Sequence, residues 1–202
     1  MSDEPAGAGI EVRHVPGWLP RANADALLTA LREQLPWSVH RVRLFGREVD
    51  VPRLSCWIGE PDAVYRYSGA TFRPVPWPTW LLPLRRQVED ACGTRFNSAL
   101  ANRYRDGRDA MGWHSDDEPE LGTDPVIASL SLGGSRRFLL RSRATPVQRQ
   151  AHVLGHGDLL VMAGATQRLA RHALPRTARP VQERINLTFR LVLPGRGAGS
   201  NG

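Results

Sequence analysis

In the stretch Met111-Gly112-Trp113-His114-Ser115-Asp116-Asp117-Glu118 an imidazole and a carboxylate stand two residues apart. Along an extended strand, residues i and i+2 project to the same side, so His114 and Asp116 would share one volume. A second imidazole from elsewhere would complete a face of two histidines and one carboxylate. That donor set holds non-haem Fe(II) and leaves coordination positions open. The ordinary reading, charges on a solvated loop, stands beside it, because a His-x-Asp tripeptide often arises by chance. Among candidates for the second imidazole, His14 and His40 precede the strand-rich part of the chain, His152 lies further on, and His156 sits between two glycines. His172, in Arg171-His172-Ala173-Leu174-Pro175, lies on a separate candidate strand or its edge and is preferred.

A second stretch, Arg184-Ile185-Asn186-Leu187-Thr188-Phe189-Arg190, alternates strictly. Ile185, Leu187 and Phe189 share one face of a strand, and Arg184, Asn186, Thr188 and Arg190 share the other. The polar face either meets water or looks into the fold. In the second case two buried guanidiniums need an anionic partner, and a small dicarboxylate would match the arginine fork. Asn102 and Tyr104, again i and i+2, would add neutral donors to such a ligand.

These residues need a scaffold. Leucines at helical spacing before Pro36 predict a helix over Asn23–Gln34, and Leu81, Leu84, Val88 and Cys92 predict another over Thr79–Cys92, stopped by Gly93. Between them, Trp37–Leu44 and Val49–Arg53 read as a hairpin joined across Phe45-Gly46-Arg47-Glu48. Phe45 is an unusual turn residue, either a buried tip or a wedge for a partner. From Phe96 onward short strands dominate: Asn97–Tyr104, Val126–Leu132, Arg137–Arg141, Gln148–Val153, Asp158–Met162 and Arg184–Val192. Turn signals at Asp106-Gly107, Gly133-Gly134 and Gly155-His156-Gly157 separate several of them. Short strands at this spacing after two helices predict a mostly β (α+β) fold, a sandwich or jelly roll with helices on one side.

The chain has 202 residues, of which 41% are hydrophobic, enough for one domain with a sizeable core. Its 27 basic residues are all arginine and give a net charge of +7. Guanidinium-rich surfaces suit phosphate contacts, although Arg136-Arg137 and Arg141–Arg143 could equally be solvated charge. With only Cys56 and Cys92, a disulfide scaffold is not expected, and a reduced, cytoplasmic location is. No apolar run long enough to span a membrane occurs, so no membrane partner is expected. Residues 1–9 and 194–202, rich in Gly, Pro and Ser, are expected to be disordered, leaving 10–193 as one domain.

Asn102-Arg103-Tyr104, His114-Ser115-Asp116-Asp117-Glu118, His172 with Leu174-Pro175, and Arg184-x-Asn186-x-Thr188-x-Arg190 occur together in one order and spacing. In that combination the chain resembles the AlkB branch of Fe(II)/2-oxoglutarate dioxygenases over about residues 36–193. The resemblance implies a double-stranded β-helix with N-terminal helices and a nucleotide-recognition lid over about 37–69. It implies that His114, Asp116 and His172 bind Fe(II), and that Arg184 and Tyr104 hold the distal carboxylate of 2-oxoglutarate. Asn186 and Arg190 would sit nearer the end that chelates iron, with Asn102 and Thr188 completing the co-substrate pocket. Three protein ligands leave two positions for the keto acid and one for O2. In the family the resulting oxidant hydroxylates an N-methyl group, which leaves as formaldehyde.

The same resemblance implies alkylated DNA as the partner, with lesions of the 1-methyladenine and 3-methylcytosine kind. Such a base must leave the duplex to reach a buried iron, and methylation at its pairing edge lowers that cost. Asp117 and Glu118, otherwise an exposed acidic loop, would favour a cationic base near the metal. Tyr65 and Tyr67, otherwise core aromatics, would wall the base pocket from the lid. Phe45 resembles the finger of duplex-acting homologues that fills the gap left by the flipped base, and Arg53 in the same lid would contact a phosphate. Duplex DNA is therefore favoured, and the protein is expected to act as a monomer. The residues Leu169-Ala170-Arg171 before His172 lack aromatics that relatives carry there. Two rival readings are a dioxygenase of this fold acting on RNA or protein, and a non-catalytic nucleic-acid-binding jelly roll with a structural metal.

Overall fold

Alternation of apolar and polar residues, repeated through short segments punctuated by glycine, builds the fold from strands. The computed structural model describes residues 9–44, 47–67, 70–145 and 149–193, with backbone alone at 40–44, 47–48, 65–67 and 70–72. In chain order the elements are β1 (Ile10–Val15), α1 (Arg21–Gln34), β2 (Ser38–Leu44), β3 (Arg47–Gly59), β4 (Tyr65–Tyr67), β5 (Ala70–Phe72), α2 (Leu82–Cys92) and β6 (Ser98–Tyr104). They continue as β7 (Met111–His114), β8 (Ile127–Gly133), β9 (Arg136–Ser142), β10 (Arg149–Leu154), β11 (Asp158–Gly164), α3 (Thr166–Leu169), β12 (Ala170–Leu174) and β13 (Arg184–Arg190). The expected tip at Phe45-Gly46, the side chains of His40, Tyr65 and Tyr67, and residues 1–8 and 194–202 lie outside the described residues.

Two antiparallel sheets carry the architecture. The larger runs β1-β11-β8-β13-β6-β3-β2 and the smaller runs β10-β9-β12-β7, with β4 and β5 forming a separate ribbon. Helices α1 and α2 cover the outer face of the larger sheet. There Leu31, Leu81, Leu84 and Val88 pack with Leu130, Leu132, Ile185, Leu187 and Phe189. A second cluster between the sheets joins Trp57, Ile127, Phe138, Leu140, Leu160 and Met162. The helices therefore take the apolar face of β13 and leave its polar face to the space between the sheets. All seven residues of β13 are buried. The expected jelly roll with helices on one side is present.

The differences from expectation are local. β3 extends well past Arg53 to Gly59, because Leu54–Gly59 pair with β6 in register. The second helix starts as a 3-10 turn over Thr79–Leu81 before α2, where Pro83 lacks the N–H that an interior position would use. Gly93 ends it in the left-handed conformation at φ 65°, as its position predicts. β1, not expected from the sequence, closes the larger sheet by pairing with β11. Cys56 and Cys92 are free thiols.

Candidate active site

The smaller sheet places the two imidazoles. His172 on β12 pairs directly with His114 on β7, followed by a register shift before Leu174 meets Met111. Their ring centroids lie 4.1 Å apart at 66°. Asp116 follows two residues after His114, and one ligand atom from each of His114, Asp116 and His172 falls within 4.8 Å of the others. Among the described residues this is the one such group, and no fourth histidine, cysteine or carboxylate joins it. His172 thus separates itself from its rivals: His14 is held 2.9 Å from Asp158, and His156 accepts from the Gly133 N–H at 2.8 Å.

Each ligand is held from outside the cluster. The His114 Nδ1 lies 2.8 Å from the Gly112 carbonyl. A carbonyl only accepts, so Nδ1 carries the proton and Nε2 keeps its lone pair for a metal. Phe138 stacks on His172 at 5.3 Å. The Asp116 N–H donates to Gln167 Oε1 at 2.9 Å, and the Ser115 hydroxyl donates to the Ala170 carbonyl at 2.8 Å. These bonds tie the ligand-bearing loop to α3 and the start of β12. Gln167, 1% exposed, escaped the sequence reading because its partner is 51 residues away and no local pattern marks it.

Electrostatics keep the three groups ready for a cation. Burial alone would raise the Asp116 carboxyl, but Arg190, His172 and His114 outweigh it, and the net shift is downward. Arg190 donates to Asp116 Oδ1 at 2.6 Å. Burial, with His114 beside it, pushes His172 down to about 3. Burial likewise lowers His114, opposed by Asp116. Both imidazoles are therefore neutral and the carboxylate ionised near pH 7, the states that bind metal.

The polar face of β13 lines the same cavity together with Asn102, Tyr104, His114, Asp116 and His172. Cross-strand register sets Arg184 opposite Tyr104 and Asn186 opposite Asn102. Arg184 is 2% exposed. Its Nη2 donates to Ser131 Oγ at 2.8 Å, while Nε has no partner among the described residues. Burial pushes this guanidinium down to about 10, a sign of the cost of holding it dry. Asn102 Oδ1 accepts from Arg53 Nε at 2.8 Å and Ser55 Oγ at 3.1 Å, which turns its NH2 the other way. Asn186 spends its NH2 on Ser129 Oγ and the Leu130 carbonyl, and accepts from Thr188 Oγ1 at 3.0 Å. Asn186 and Thr188 thus brace the wall they also line.

Of the expected substrate residues, Arg53 sits differently. Arg53 is buried at 8% exposure and points inward to Asn102 and the Ala110 carbonyl, so it is not placed for a phosphate. Arg136 is also buried, donating to the carbonyls of Asp106, Asp109 and Pro175. It braces loops rather than offering surface charge. Asp117 is exposed and paired with Arg143 at 2.6 Å, and the same Arg143 Nη2 reaches Ser115 Oγ at 2.9 Å. Glu118 is half-buried where the 3-10 turn Pro119–Leu121 begins.

The donor set fits ferrous iron, and the bare Arg184 Nε beside Tyr104 fits the far carboxylate of a dicarboxylic keto acid. Comparisons with known proteins agree with that chemistry. The family model described as 2OG-Fe(II) oxygenase superfamily matches residues 11–190. Alpha-ketoglutarate-dependent dioxygenase alkB homolog 3 of Rattus norvegicus is 42% identical over 197 residues, covering 91% of this chain and 65% of its own length. The human protein of that name is 40% identical over 193 residues, with 91% and 67% covered. DNA oxidative demethylase ALKBH2 of Mus musculus is 38% identical over 184 residues, covering 86% of this chain and 77% of its own. The chain therefore spans about two thirds of the length of the first of these relatives. The solved structure of OsALKBH1 superposes with a TM-score of 0.66 at 17% identity, covering 94% of this chain and 99% of that one, a likeness of fold.

Proposed function

The chain belongs to the 2OG-Fe(II) oxygenase superfamily, among its AlkB homologues, and from that premise we propose that it is a DNA dealkylase. The reaction is oxidative demethylation of 1-methyladenine- and 3-methylcytosine-type bases, consuming 2-oxoglutarate and O2, with duplex DNA as the preferred substrate. The convergence of His114, Asp116 and His172 beside the buried Arg184 and Arg190 carries this reading.

In this reading His114, Asp116 and His172 hold Fe(II). When bound, the iron couples oxidative decarboxylation of 2-oxoglutarate to hydroxylation of the N-methyl group, whose product releases formaldehyde. The chain's own residues do the positioning. Arg190 keeps Asp116 ionised, and the Gly112 carbonyl fixes the His114 tautomer. Arg184 and Tyr104 hold the distal carboxylate, and the Asn102 NH2 donates within the same cavity. Asp117 and Glu118 attract a cationic lesion, the charge of Asp117 being offset by Arg143. Phe45 and the walls expected from Tyr65 and Tyr67 belong to the lid; their side chains lie outside the described residues. The catalytic unit is taken as residues 10–193 acting as a monomer, and the free thiols Cys56 and Cys92 support a reducing, cytoplasmic setting.

The test is succinate and formaldehyde release from 1-methyladenine in matched single- and double-stranded oligonucleotides. Both products should require Fe(II) and the lesion, with faster turnover on the duplex. Phe45→Ala should reduce duplex turnover far more than single-strand turnover, and equal loss on both would remove the wedge. Absence of lesion-dependent formaldehyde would overturn the assignment.

A further inference from the structure

The face of the smaller sheet turned away from the active site carries charge that its own stability does not explain. Arg149, Arg141 and Arg171 stand directly opposite one another across β10, β9 and β12. Leu140 and His172, the alternate neighbours of Arg141 and Arg171, are buried in the interior, so these arginines share the outer face. Arg137, four residues before Arg141, adds a fourth on the same side. Like charges directly opposed across strands are destabilising. Several arginines elsewhere are paired: Arg85 with Glu60, Arg103 with Glu183, Arg105 with Asp109. Among the described residues none of the four outer-face arginines forms an ion pair. Trp113 supplies the one relief, with the Arg141 guanidinium 4.2 Å and that of Arg149 5.8 Å from its ring.

We propose that this arginine row with Trp113 is a nucleic-acid docking surface, binding the phosphodiester backbone of the strand that flanks the processed base. The proposal rests on the functional reading above and extends it to where the rest of the substrate lies. Unbalanced guanidiniums in a row are the complement of a polyanion, and releasing its counterions repays the repulsion stored in the sheet. The row also leads to the site. Arg143, two residues beyond Arg141, reaches Asp117 next to the ligand Asp116, so a strand entering at the acidic loop meets the arginine face as it leaves. An aromatic ring among arginines adds a stacking platform that tolerates any sequence.

The experiment measures binding of an unmethylated single-stranded oligonucleotide by fluorescence anisotropy across a salt series, without iron, co-substrate or lesion. It therefore reads separately from the demethylation assay. The double variant Arg149→Ala/Arg171→Ala, both positions being exposed, should lower the salt slope by about 1.4, which at 0.1 M salt is about a 25-fold weaker Kd. Arg149→Lys/Arg171→Lys should restore most of the affinity. The alanine variant's melting temperature should hold or rise, since a repulsion is removed. Unchanged affinity and slope would overturn the proposal, as would a fall in melting temperature without loss of binding. Equal binding of a poly-glutamate peptide, lost in the same variant, would assign the face to an acidic protein instead.

Discussion

Arg184 shows at the scale of one residue how a cost marks a function. Its guanidinium is buried and donates from Nη2 to Ser131, and burial lowers its pKa to about 10. A group so placed contributes little to stability and suits an anionic ligand. Arg184→Gln should therefore leave the unliganded protein as stable as before or more so. With metal bound, 2-oxoglutarate at a hundred times its Kd should stabilise the native chain by about 2.7 kcal/mol. The variant should lose that increment while keeping the shift caused by metal alone, as thermal melts with Mn(II) in place of iron would register. A variant that still melts higher with 2-oxoglutarate would remove Arg184 from the co-substrate site. Arg53 teaches the converse, because its sequence position suggested a phosphate contact while its hydrogen bonds go to Asn102 and Ala110.

Among the elements, the decisive contact joins the loop after β7 to α3. Gln167 accepts from the Asp116 N–H and donates to Met162 Sδ at 3.5 Å, so one buried amide orients the carboxylate ligand without touching a metal. Gln167→Ala should weaken Fe(II) binding about 10- to 100-fold, as loss of outer-sphere partners typically does. Calorimetric titration of the metal-free protein would check this, and an unchanged affinity would reduce Gln167 to a packing residue. β13 shows how one strand serves two layers. Its apolar residues meet α1 and α2 while its polar residues line the cavity. The end of β8 beside its start is tight: Gly133 has φ +84°, and a Cβ there would press on the Glu183 carbonyl.

For the molecule as a whole, one source of pH sensitivity lies outside the candidate active site. His152 on β10 packs 5.8 Å from the His14 ring, and burial, followed by His14, lowers its pKa. The unfolded chain takes up this proton near the ordinary value of about 6.5, before the folded chain does, so stability falls as pH drops below that point. Above it the group contributes nothing to the pH dependence. His152→Gln should flatten the loss of stability between about pH 7.5 and 5, measured as urea midpoints. An unaltered slope would assign the acid sensitivity to other groups. The arginine row on the outer sheet belongs to this scale too, since only the assembled sheet brings β9, β10 and β12 side by side.

The sequence by itself determined what two-residue periodicity can encode: that His114 and Asp116 share a side, that β13 has one apolar and one polar face, and that Gly93 ends a helix. It also carried the family resemblance, because four motifs in order identify a scaffold that no single one does. The tertiary structure alone decided which histidine joins the pair, that Gln167 orients Asp116, and that Arg53 and Arg136 turn inward. It alone set Arg143 on Asp117 and aligned three arginines across separate strands. The reason is physical. Alternation along a strand assigns each side chain to a face, but what that face meets depends on register between segments tens of residues apart, and no local pattern records it.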